Sequence, residues 1–117
     1  VPGKCVYVAC HVNAGGGSYG LVCHDYRSKA GAKAAEAVGA ELGKLVETVR
    51  VEAASGGTWK NAYNTIKGVF EGPGNLSGIC YEPGFIDSDM NKHMWLADGL
   101  IRVGDALAAG CLKYLEP

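Results

Sequence analysis

Residues 6 to 12, Val-Tyr-Val-Ala-Cys-His-Val, are apolar at nearly every position. A strand with one face in water alternates polar and apolar side chains, whereas an unbroken apolar run is a strand covered on both faces. Such a segment is satisfied only in a layered fold, with helices packed on the sheet. The rest of the chain supplies those layers. Leu21 to Tyr26 reads as a second strand, with Val22 and His24 on one face and Cys23 on the other. Ser28 is an N-cap candidate for a helix of about 20 residues. Ala34, Val38, Leu42, Leu45 and Val46 make its apolar stripe, and Lys29, Lys33, Glu36, Glu41, Lys44 and Glu47 its solvent side.

Thr48 to Ala53 alternates as a strand with Val49 and Val51 inward, and Asn61 to Gly68 reads equally as a short helix or a loop. After a turn at Gly72-Pro73-Gly74-Asn75, Leu76 to Tyr81 is the last strand. A long helix is expected from Asp87 or Ser88 to Pro117, its stripe formed by Ala97, Leu100, Ile101, Leu107, Ala108, Cys111, Leu112 and Leu115. The fold class is therefore α/β: a mixed, mostly buried β-sheet flanked by helices, ending in a long C-terminal helix. The sheet is expected to be mixed because the segment joining the first two strands is too short for the helical crossover of a parallel pair.

Chain length fits one domain: 117 residues bury a core with little to spare. A hydrophobic share of 48% with 20% charged residues is that of a globular chain. The net charge of -1 gives no attraction for nucleic acid or an anionic membrane. No stretch approaches the roughly 20 apolar residues that span a bilayer, and no basic-then-apolar leader opens the sequence. The five cysteines are odd in number and lie mostly in apolar runs, which reads as buried reduced thiols and a reducing site of synthesis.

Chemistry concentrates where strands end. The run Gly78-Ile79-Cys80-Tyr81 delivers Glu82 directly before the Pro83-Gly84 turn, and the first strand delivers His11 directly before Asn13-Ala14-Gly15-Gly16-Gly17. If both strands end at one sheet edge, an imidazole and a carboxylate meet there, which suits a metal ligand beside a general base. On the residues alone, His11 reads first as a satisfied core or rim histidine and Glu82 as a solvated strand-end carboxylate or a helix-proximal cap. Cys5, Cys10, Cys23 and His24 lack the Cys-x-x-Cys spacing of a structural zinc site, and His93 reads as a surface group. Gly15 to Gly20 is no phosphate loop, since no Gly-Lys-Ser/Thr follows and the next element is a strand. Tyr19, Trp59 and Tyr63 fall in or near loops, where they either stack on sugar rings or cap the sheet edge.

Three segments in order, His-Val-Asn-Ala-Gly-Gly-Gly from residue 11, Glu-Pro-Gly-Phe-Ile-Asp from residue 82, and Ala-Leu-Ala-Ala-Gly-Cys-Leu-Lys-Tyr-Leu from residue 106, resemble the C-terminal portion of the catalytic domain of the zinc-dependent N-acetylmuramoyl-L-alanine amidases. The resemblance implies Zn2+ as cofactor and peptidoglycan as partner, with cleavage of the amide between N-acetylmuramic acid and the L-alanine of the stem peptide. It makes His11 the family's last zinc-binding histidine and Glu82 its catalytic glutamate, with Asn13, Gly15, Gly16 and Gly17 along the substrate cleft. In the family another strand and helix come first and carry two further zinc ligands. The resemblance thus implies completion by an N-terminal strand-helix segment, a partner chain or self-association. It further implies synthesis in the cytoplasm and action at the bacterial cell wall, as a phage endolysin or a bacterial autolysin. The alternative it leaves is an inactive amidase-like module that binds cell wall.

Overall fold

In the computed structural model, which describes residues 3–72, 74, 76–89 and 91–116, four strands make one sheet. They are β1 (Cys5–Cys10), β2 (Gly20–Asp25), β3 (Val49–Ala54) and β4 (Leu76–Glu82), in the order β1-β4-β2-β3. β4 is parallel to β1 and antiparallel to β2, and β2 is parallel to β3. The sheet is mixed, as the short segment between β1 and β2 requires. Those two strands run in opposite directions without pairing, because β4 enters between them and takes the centre. That position explains its composition: Ser77, Gly78, Ile79, Cys80 and Tyr81 are buried in succession.

Alternation along the strands builds two cores. Val22, Ile79 and Tyr81 face a layer formed by α1 (Lys29–Leu42) and α3 (Ala97–Leu115), meeting Ala34, Val38, Leu42, Met94 and Val103. Ala9, Leu21, Cys23, Ala54 and Cys80 face the opposite way, onto Ala62 and Ile66 of α2 (Lys60–Glu71). Each fully buried aliphatic side chain contributes about 1.5–3 kcal/mol. Polar tips inside the first layer are satisfied: the Tyr81 hydroxyl donates to the Val103 carbonyl at 2.8 Å, and the Ser77 and Tyr114 hydroxyls pair at 2.8 Å.

Several expected boundaries shift. Ser28 does cap α1, its Oγ accepting the Gly31 N–H at 2.8 Å, but the helix stops at Leu42, and Leu45 and Val46 reach the core from the turns that follow. The ambiguous segment at Asn61 to Gly68 is helical and belongs to α2. The last helix starts at Ala97 rather than at Asp87 or Ser88. Between β4 and α3 the chain is tied into turns and a 3-10 turn (Lys92–Trp95): Asn91 Oδ1 accepts the Phe85 N–H at 2.9 Å, the Trp95 indole N–H donates to the Phe85 carbonyl at 3.2 Å, and Leu96 is extended.

The inner face of α3 also differs from its expected stripe. Gly99, Val103, Ala106 and Gly110 are buried, whereas Leu100, Ile101 and Leu112 are exposed. Close approach of α1 accounts for Gly110, where a Cβ would overlap the Cα of Val38, and close approach of the 3-10 turn accounts for Gly99, where a Cβ would overlap the backbone of His93 and Met94. Small residues therefore make the closest contacts, and Leu100, Ile101 and Leu112 turn outward while Val103 and Leu107 pack against the core. On edge strand β3, Val51 does face α1, where a Cβ on Gly39 would lie 2.6 Å from its Cγ2, but at the sheet edge it stays 36% exposed. β1 is the other edge, with Tyr7, Cys10 and Val12 exposed along it and just beyond it. Cys10 thus departs from the expected burial of the thiols, while Cys23 and Cys80 are fully buried. Pro73 and Asn75 of the expected turn, and the terminal Pro117, lie outside the described residues. No described helix is long and apolar enough to cross a membrane.

Candidate metal centre

Cys80 and Glu82 are two residues apart on β4 and so project from the same face, toward α2. β1 runs in register beside them, with Ala9 opposite Cys80 and Cys10 opposite Tyr81. The pairing continues past the strand end, where the His11 N–H donates to the Tyr81 carbonyl at 3.0 Å. His11 is thereby set on the same face as Ala9, next to Glu82. One ring nitrogen of His11, Cys80 Sγ and one carboxylate oxygen of Glu82 all lie within 4.8 Å of one another. Among the described residues this is the one group of three or more His, Cys, Asp or Glu side chains able to hold a metal ion.

Burial sets the electrostatics. Cys80 is fully buried while His11 and Glu82 are half-buried. Desolvation raises the Glu82 carboxyl above the usual carboxylate range, and the nearby His11 only partly opposes it. Burial, followed by the charge of Glu82, pushes the Cys80 thiol up to about 12, against a hydrogen bond from Thr65. Cys23, paired opposite Cys80 on β2, is pushed up to about 12 by burial and then by Cys80.

Glu82 also lines a cleft of 280 Å³ between the sheet edge and the start of α2, with Asn13, Trp59, Lys60, Asn61 and Ala62, while His11 borders a separate, apolar hollow with Cys10, Tyr81, Trp95 and Leu107. Asn13 is fixed by an isolated bridge to Phe85: its N–H donates to the Gly84 carbonyl at 3.0 Å, and its carbonyl accepts the Ile86 N–H at 2.9 Å. The glycines beyond it are engaged within the chain. Gly15 and Gly16, both at positive φ, donate their N–H groups to one oxygen of Asp87 at 3.0 and 3.1 Å. Such a pair of convergent amides is an anion nest, here filled by the chain's own carboxylate. Gly17 lies so close to Phe85 that a Cβ there would overlap the ring. Of the four residues expected along the cleft, Asn13 lines it, while Gly15, Gly16 and Gly17 brace the segment after β4.

His11 and Glu82 therefore meet at one rim. Cys80 is the member of the group that sequence reasoning left among the buried thiols. The available signal was its spacing of two from Glu82 on a strand, which puts both on one face. His24 is half-buried on the other face, bonded through Nδ1 to the Asp25 carbonyl at 2.9 Å, and His93 is exposed. Neither joins the group.

Fold and site together define a layered α/β domain with one mixed nitrogen, sulfur and oxygen donor group at the ends of adjacent parallel strands. No protein-family model matches the chain, and no curated protein matches it.

Proposed function

We propose that this chain carries peptidoglycan amidase chemistry: hydrolysis of the amide between N-acetylmuramic acid and the L-alanine of the stem peptide, with zinc as cofactor. The observation that supports this reading most is the convergence of His11, Cys80 and Glu82 within 4.8 Å beside an open cleft. Imidazole, thiolate and carboxylate are a zinc donor set. Tetrahedral zinc holds its donors about 3.5 Å apart, given bond lengths of about 2.0–2.3 Å. When bound, the metal supplies Lewis acidity toward the scissile carbonyl and toward water.

The chain's own residues do the rest. His11 and Cys80 hold the ion, and binding must displace the proton that burial keeps on the Cys80 thiol. Glu82, with its proton affinity raised by desolvation, takes a proton from the attacking water and passes it to the departing nitrogen. The water oxygen bonds to the carbonyl carbon, the C–N bond breaks, and the products are the muramic carboxylic acid and the free amine of L-alanine. Catalytic zinc sites use three protein ligands. With Glu82 kept as the base, His11 and Cys80 leave at least one ligand to come from elsewhere; the amidase resemblance implies two, supplied by an N-terminal strand-helix segment or a partner chain. Action at the cell wall, as an endolysin or autolysin, follows from this substrate.

A second reading is an amidase-like module that binds cell wall without cutting it. Two features favour it: the group contains one imidazole, and its thiol is held protonated by burial. Elemental analysis of the purified chain, with assay of stem-peptide release by the parent, His11→Ala and Glu82→Gln, decides between them. Hydrolysis requires zinc near one per chain, loss of zinc in His11→Ala, and loss of release with zinc retained in Glu82→Gln. Wall binding with neither metal nor release establishes the module instead.

A further inference from the structure

The cleft beside Glu82 has a wall whose construction the metal group does not explain. Trp59 is the one non-glycine residue with positive φ among the described residues, at φ 54° and ψ 47°. A bulky side chain in the left-handed region is strained by about 1–2 kcal/mol and persists where surrounding contacts over-determine it. Those contacts are present. The turn before it is closed by reciprocal bonds between Ser55 and Thr58, at 2.8 and 3.3 Å. The Arg50 guanidinium lies over the indole at 5.4 Å and over the Tyr19 ring at 4.9 Å. Arg50 is itself held by two hydrogen bonds to Glu52 Oε1, at 3.1 and 2.9 Å. Tyr19 in turn meets the Phe85 ring edge-on at 4.9 Å. A rigid aromatic and guanidinium wall thus runs from the edge strand to the segment after β4, and its indole lines the same cleft as Glu82.

We infer that Trp59 is the platform of a saccharide subsite that takes one N-acetylated pyranose ring of the glycan strand. An indole offers a flat apolar surface at low entropic cost, suited to the C–H face of a sugar ring. The neutral amides of Asn13 and Asn61 line the same cleft and can both donate to and accept from hydroxyl and acetamido groups. At 280 Å³ the space falls just below the roughly 300–1,000 Å³ of sites for drug-sized ligands, which is room for one ring. The assignment rests on the amidase reading for the identity of the polymer alone.

The sequence contains two tryptophans, so Trp95→Phe leaves Trp59 as the sole indole. In that background the probes are the free disaccharide N-acetylglucosaminyl-N-acetylmuramic acid and, separately, the free stem peptide. The expected result is a saturable change in Trp59 emission with the disaccharide and none with the peptide. Calorimetry with the otherwise unaltered chain should show disaccharide binding weakened about tenfold in Trp59→Gly, equivalent to about 1.4 kcal/mol, and largely restored in Trp59→Phe. Glycine adopts the left-handed backbone freely, so this variant removes the ring while preserving the turn. A response to the peptide alone, or equal disaccharide affinity in Trp59→Gly, overturns the subsite. Disaccharide binding through Trp59 in a chain without zinc or hydrolysis sustains the subsite and removes the reaction. Hydrolysis with unchanged KM in Trp59→Gly sustains the reaction and removes the subsite.

Discussion

Replacing Gly110 by alanine should destabilise the fold, although alanine is the better helix former. Gly110 lies within α3, where intrinsic propensity favours alanine by about 1 kcal/mol. The added methyl would lie 2.4 Å from Val38 Cα, 2.8 Å from Val38 Cγ2 and 2.9 Å from Val38 N. Carbon contacts relax at about 3.5–4.0 Å, so α1 and α3 must separate by about 1 Å or bend. Two of the three atoms are backbone and cannot rotate away. Overpacking of this kind costs about 3 kcal/mol at the upper end of its usual range, leaving a net loss of about 2 kcal/mol. Gly104, in the same helix, has open space where its Cβ would be. Gly104→Ala should therefore gain up to about 1 kcal/mol. Urea unfolding of the parent and both variants measures the difference. At a slope of about 1–3 kcal/mol per M, Gly110→Ala should lower the midpoint by about 1 M while Gly104→Ala raises it, with slopes unchanged. Equal midpoints for the two variants would refute the close helix contact.

Two further outcomes follow from the charged groups. Asp25 is nearly fully buried and receives three hydrogen bonds from Arg27, from the backbone N–H, Nε and Nη2. Burial would raise its carboxyl, but the Arg27 hydrogen bonds and charge outweigh that and hold it below the usual range. A depressed carboxyl stabilises the fold above its unfolded pKa of about 4 and loses that contribution as pH falls through the folded value. Asp25→Asn should cost about 2 kcal/mol at neutral pH and flatten the acid limb of a stability-versus-pH curve from circular dichroism. Glu82 has the opposite sign: its raised carboxyl favours the folded state at low pH, and this contribution is lost as pH rises through the folded value. Glu82→Gln should therefore raise the melting temperature at pH 8, with the gain shrinking on acidification, a stabilised but inactive variant typical of functional carboxylates. A gain that grows toward acid would contradict the desolvated environment assigned to Glu82.

The sequence by itself determined the layering. Apolar strand runs together with the period of Ala34, Val38 and Leu42 call for helices packed on a sheet, but the run at Val6 to Val12, expected to be covered on both faces, forms an edge strand with Tyr7 and Val12 exposed. Strand ends at His11 and Glu82 were legible for the same reason, because a polar group terminates each apolar run before a turn. Tertiary structure alone decided which strands are neighbours. Nothing local in β1 or β2 announces that β4 will enter between them, and without that insertion His11 and Glu82 have no reason to meet. It also decided that Gly110, rather than Ile101 or Leu112, meets α1, since helix separation is a property of two elements at once. Cys80 shows the same division. Its side-chain direction follows from strand periodicity, but its nearness to His11 exists only because two distant segments pair in register. Periodicity fixes which face a side chain occupies, and long-range pairing fixes what it meets there.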